Sequence, residues 1–174
     1  MSIIWMIDLT FAPLIGYGFT YNATEFLKEP CPWLDEASQP SWAIEYEHEK
    51  LYSAWLVGSN ILAGLSSVLL YRLSAEMEES ARIGLDLPLT LYFGQVVLWW
   101  FHYPLVHYLC SLPMGWIDIT MAGVASAIAT FYYAEYSLIA CGMMIPYVAL
   151  MWYHIVWDTF MLWRTYKDSR RGRK

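Results

Sequence analysis

Charged side chains are scarce in this sequence. They make up 15% of 174 residues, against about 25% in an ordinary soluble domain, so the chain cannot coat a water-facing fold. Cysteine is nearly absent: Cys31, Cys110 and Cys141 are far apart and odd in number, which suggests neither a disulfide framework nor a zinc pattern. The start, MSIIWMIDLTFAPLIGYGF, lacks both the basic opening of a signal peptide and the arginine-rich character of a transit peptide, so no cleavable presequence is expected. Basic residues number ten, and six of them lie within 164–174. A short basic tail beside a hydrophobic segment argues against nucleic acid as a partner and suits anionic lipid headgroups. There is no internal repeat and no low-complexity segment.

What the chain does have is apolar and aromatic surface. Hydrophobic residues reach 58% and aromatics 18%, with ten tryptophans and fourteen tyrosines, a composition suited to headgroup contact or to enclosing flat apolar ligands. A spanning helix needs about 20 mostly apolar residues. Five stretches qualify: 3–21, 51–73, 88–109, 116–136 and 138–163. The predicted fold is therefore an all-α membrane protein, a five-transmembrane-helix bundle in a single domain, with a long first loop at 22–50 and a basic tail at 164–174. Prolines, the charged run SAEMEESARIGLD, closing with Gly84, and the SLPMG turn supply the breaks, and the last two spans meet at a tight junction near Glu135–Ser137.

Five spans put the two chain ends on opposite sides. The tail side, counted with the first loop, carries eight Lys or Arg and the other side carries Arg72 and Arg82, which predicts a cytosolic C-terminus. Small residues recur every fourth position at Ser59, Ala63 and Ser67, and again at Ala122, Ser126 and Thr130. That spacing lets helix backbones approach closely; a lipid-facing groove or the seam of a homodimer is the alternative use.

Ionisable groups in spans are costly and tend to face the bundle interior or a wet cavity. Asp8, His102 and Asp118 are read as lying near span ends, where water or headgroups reach them. His154 and Asp158 differ, because a helix places them one turn apart on one face, in a stripe with Tyr147, Leu150, Met151, Trp157 and Met161. Three uses are open for the pair: it ties the last helix to a neighbour, it is a polar handle in a greasy cavity, or it is a catalytic dyad. No nucleophile or metal-ligand set stands near it, so no catalytic or metal residue is assigned. EYEHEK (45–50) alternates acids around His48. Its spacing diagnoses no metal, and it reads as a solvated loop face.

PLTLYFGQVVLWW (88–100) fits the pattern P-L-x-L-Y-x-x-Q-x-x-L-N-W through Pro88, Leu89, Leu91, Tyr92, Gln95, Leu98 and Trp100. MGW at 114–116, PYVA at 146–149, PSW at 40–42, LYSA at 51–54 and the Ala12-Pro13-Gly16 spacing add to it. On these motifs the chain resembles the translocator protein family, also called the tryptophan-rich sensory or peripheral benzodiazepine receptor family. The resemblance implies a multi-pass membrane protein of the mitochondrial outer membrane with an interior pocket for cholesterol or porphyrins. It also implies receptor or lipid-transport roles, no enzyme activity and no resident cofactor.

Carried over position by position, the implied ligand-binding residues are Trp42, His48, Trp100, Trp116, Tyr147, Leu150, His154, Trp157 and Asp158. A weak sterol-consensus match falls on Leu162, Tyr166 and Arg170. The chain departs from the family pattern at Tyr46, His48, Trp99, His102, Leu150, Asp158 and Thr159, several of them at the pocket cap. The expected partners are the bilayer and a sterol or tetrapyrrole. The rival readings are a membrane enzyme acting on such a ligand, with His154 and Asp158 as acid and base, and a pocketless interaction scaffold.

Overall fold

A computed structural model of the chain describes residues 3–27, 40, 42–43, 48–74 and 79–171, and the side chains of 10–23, 26, 40, 42–43, 48, 50–73 and 86–167. Within them lie five helices: α1 (Ile3–Leu27), α2 (Glu49–Ser74), α3 (Glu79–His107), α4 (Leu112–Tyr136) and α5 (Leu138–Arg171). They form a closed ring in the order α1, α2, α5, α4, α3 and back to α1. The protein is an all-α membrane bundle. The segments Lys50–Leu73, Leu112–Tyr136 and Leu138–Lys167 are long and apolar enough to cross a bilayer on their own. Large side chains such as Phe19, Phe101, Phe131, Ile139 and Trp152 point outward, as lipid-facing surface should.

The helices overrun the apolar stretches expected from sequence. α1 continues past Tyr21, α3 starts at Glu79 rather than at Pro88, and α5 runs on to Arg171. Hydropathy marks where lipid is tolerated. A helix needs only propensity to continue, which Glu, Ala and Arg supply. Gly84, expected to help close the charged run, lies inside α3.

Four prolines sit inside helices. At two of them a tryptophan from a neighbouring helix donates its indole N–H to the proline carbonyl. Trp55 Nε1 reaches Pro146 O at 3.1 Å and Trp100 Nε1 reaches Pro13 O at 3.3 Å. Backbone loosened by proline in lipid is thus tied to its neighbour.

Close approach is concentrated where side chains vanish. Gly64 of α2 lies so near the Thr10 backbone of α1 that a Cβ would collide with it. The small-residue stripes point inward: Ser59, Ala63, Ser67, Ala122 and Ser126 are buried. Ser66 Oγ donates to Ala140 O at 2.7 Å, joining α2 to α5. Ser67 Oγ and Tyr133 Oη meet at 2.8 Å, joining α2 to α4.

The two ends of the bundle differ. α4 and α5 are joined by Ser137 alone, extended at φ −159° and ψ 113°, with its N–H on Tyr133 O. At the other end α3 turns into α4 through 108–111, with Cys110 at φ +50°. The expectation of no disulfide is overturned here. Cys110 is disulfide-bonded and Cys141 is a free thiol. Widely spaced cysteines give no sequence signal of being neighbours in space. Cys31 lies outside the described residues, as do the side chains of Asp8 and Arg170 and most of the first loop.

Candidate ligand-binding cavity

The buried stripe of α5 repeats at helical spacing: Met144, Tyr147, Leu150, Met151, His154, Trp157, Asp158 and Met161. The facing stripe of α3 is Tyr92, Gln95, Val96, Trp99, His102 and Val106. Over most of their length the two interlock with α2 and α4. Tyr92, Tyr133, Tyr147, Leu70 and Met144 fill the half of the bundle nearest Ser137. Toward the other end α1 and α2 stand off, and a cavity of about 460 Å³ opens. Its wall comes from four helices: Tyr17 and Tyr21, Tyr52 and Leu56, Trp99, His102 and Tyr103, and His154 and Trp157.

Three of the four histidines of the chain, His102, His107 and His154, line this space. His154 Nε2 and the Tyr52 hydroxyl are 2.9 Å apart, bridging α5 to α2. His102 Nδ1 lies 3.3 Å from Gly115 O. A carbonyl only accepts, so Nδ1 carries the proton. That leaves His102 Nε2 to meet Asp158 Oδ2 at 3.7 Å, either as an ion pair or with the proton on the carboxyl. In both cases the couple is neutral overall. The two imidazoles are 5.8 Å apart. Trp99 stacks on His102 at 6.0 Å and 8° on one side and on Tyr17 at 5.0 Å and 9° on the other.

The wall is therefore flat, aromatic and weakly polar. Among the described residues no lysine or arginine lines it. The indole N–H groups of Trp99 and Trp157 are buried without an acceptor.

The residues singled out in the sequence divide between this cavity and other places. His154 and Trp157 line it. Asp158 shares their helix face but is fully buried behind His102, because the stripe is wide enough to touch α2 at one edge and α3 at the other. Tyr147 and Leu150 are fully buried in the filled half. Trp100 turns to α1 and bonds Pro13. Trp116 donates to Thr159 Oγ1 at 2.8 Å on the outer surface. Trp42 and His48 are exposed, with Trp42 packed edge-on against Tyr153 and Phe160. Leu162 is half-buried and Tyr166 exposed. Sequence reading missed Tyr52, Tyr17 and the cavity role of His102. Tyr52 was visible only as part of LYSA, and its partner is 102 residues away.

A ring of membrane helices around an aromatic, imidazole-bearing cavity defines a class: integral membrane proteins with an internal hollow inside a helical bundle. The chain belongs to the TspO/MBR family, whose profile matches residues 9–164. It is 28% identical over 171 residues to the translocator protein of Sus scrofa, covering 97% of this chain and 94% of the pig protein. To the translocator protein of Ovis aries it is 27% identical over 161 residues, covering 91% of this chain and 82% of the sheep protein.

Proposed function

We propose that this protein binds a sterol or tetrapyrrole in the cavity between α1, α2, α3 and α5, and that a neutral sterol such as cholesterol is the better fit. One observation carries the reading. The cavity is large enough for a drug-sized ligand and walled by aromatic rings, with imidazole, phenol and indole groups and the Ser53 hydroxyl as polar features and, among the described residues, no fixed cation. A sterol hydroxyl can accept from an indole N–H and donate to an imidazole nitrogen. A porphyrin carboxylate would need a counter-charge that His102 does not provide, because it already faces Asp158.

In this reading His154, Trp157, Tyr52 and Trp99 touch the ligand, while Asp158 acts through His102. Trp42, His48, Trp100 and Trp116 lie outside the cavity, and Tyr147 and Leu150 pack in the filled half beyond it. The protein binds and exchanges its ligand without turning it over. It sits in the mitochondrial outer membrane with the basic tail in the cytosol.

The test is energy transfer from tryptophan to dehydroergosterol in purified protein in nanodiscs, beside tryptophan quenching by protoporphyrin. Saturable sterol binding that His154→Ala weakens about tenfold supports the reading, on the scale of one buried hydrogen bond. Affinity unchanged by His154→Ala and Tyr52→Phe would remove the polar handle from the account.

A further inference from the structure

A second hollow of about 480 Å³ lies on the outer face of α5, apart from the interior cavity, walled by Trp42, Val156, Thr159, Phe160 and Trp163. It faces the surroundings of the bundle: Val156 is 54% and Trp163 56% exposed. Trp42, from the first loop, closes one side, with its ring 5.9 Å from Phe160 and nearly perpendicular to it.

The polar groups around this groove decide what fits it. Its hydroxyl, Thr159 Oγ1, accepts from Trp116 Nε1 at 2.8 Å and donates to Ile155 O at 2.6 Å. Its one proton is already given, so it has no hydrogen bond left to donate to a neutral alcohol. The charged side chains described at its upper end are Arg164 and Lys167. Val156, Phe160, Trp163 and Lys167 follow one another at helical spacing, so the groove runs straight up to an ammonium group. Lys167 Nζ stands 4.8 Å from the centre of the Trp163 ring. Arg164 follows Phe160 by one turn and makes no ion pair among the described residues. From Val156 to Lys167 the helix rises about 16 Å, the depth from the upper acyl region of a leaflet to its headgroups.

We propose that this groove is a binding site for an anionic phospholipid. One acyl chain lies along Val156, Phe160 and Trp163 against Trp42, and the phosphate is held by Arg164 and Lys167. A sterol would leave both cations unmatched.

The test uses the full chain in phosphatidylcholine nanodiscs doped with acyl-brominated phosphatidylglycerol or, at the same mole fraction, acyl-brominated phosphatidylcholine. The contribution of Trp163 is read as the difference between wild type and Trp163→Phe. The brominated anionic lipid is expected to quench it at several-fold lower mole fraction than the neutral one. Arg164→Gln with Lys167→Gln should erase that preference, at roughly fivefold per cation, while sterol transfer in the interior cavity stays unchanged. Native mass spectrometry of wild type and of the double charge variant gives a readout free of the tryptophan substitution, with retained phosphatidylglycerol expected on the wild type only. Equal quenching by the two lipids, or stronger quenching by a brominated sterol, would overturn the proposal.

Discussion

His102 shows how a single side chain is fixed by three helices at once. It stands on α3, gives its Nδ1–H to the Gly115 carbonyl of α4, and turns Nε2 to Asp158 of α5. Removing one member of a buried couple leaves the other without its partner, at a cost of about 3–5 kcal/mol. Asp158→Ala should therefore lower the melting temperature in detergent markedly, and Asp158→Asn much less. Ser53 borders the cavity and is exposed, so Ser53→Arg can add the cation that the wall lacks. Protoporphyrin should then bind about tenfold tighter, the scale of a hydrogen bond to a charged group, with dehydroergosterol affinity unchanged. The i, i+4 pair on α5 was legible in the sequence because helical spacing alone places His154 near Asp158. Their partners were not. Tyr52 and His102 arrive from other helices, and no local pattern reports which faces the ring will bring together.

At the scale of elements, glycine separates contact from open space. Gly64→Val puts a branched side chain into the Thr10 backbone of α1, which cannot give way as a side-chain tip would. Overpacking of this kind costs about 1–3 kcal/mol, seen as an earlier thermal transition in detergent. Gly142 of α5 meets nothing within 4 Å, so Gly142→Ala should be neutral or stabilising by up to about 1 kcal/mol. The five helices were legible because uninterrupted apolar length is a strong signal in a bilayer. Their polar extensions were not, since Glu79 to Asp86 reads as a break by charge and by Gly84 although Glu79, Ala81, Arg82 and Leu85 favour helix. Trp100 likewise sits in the best-matching motif, yet its partner, the carbonyl of Pro13, is set by how α1 packs.

For the molecule as a whole, charge and thiol chemistry can be set against each other. The basic tail argues for a cytosolic C-terminus, and α3–α4 places Cys110 at the same end of the bundle as that tail. Disulfides do not persist in the cytosol. Cys110 should therefore label with a membrane-impermeant maleimide in digitonin-permeabilised cells without reductant, but in the air-oxidised purified protein only after reduction. The converse pattern would put this end of the bundle in an oxidising space. On the proposed outer-membrane location, a protease added outside intact mitochondria should remove a tag placed after Lys174.

The position of the cavity also limits the route a guest can take. Its lining comes from one half of the bundle. Beyond it Tyr92, Tyr133, Tyr147 and Met144 are fully buried in one cluster, and α4 and α5 join at that end through one linking residue. Among the described residues the hollow is a cup with a filled base. In the proposed function a guest is loaded and released at the end marked by Tyr21, Tyr52 and His107, either to an acceptor or back to the leaflet.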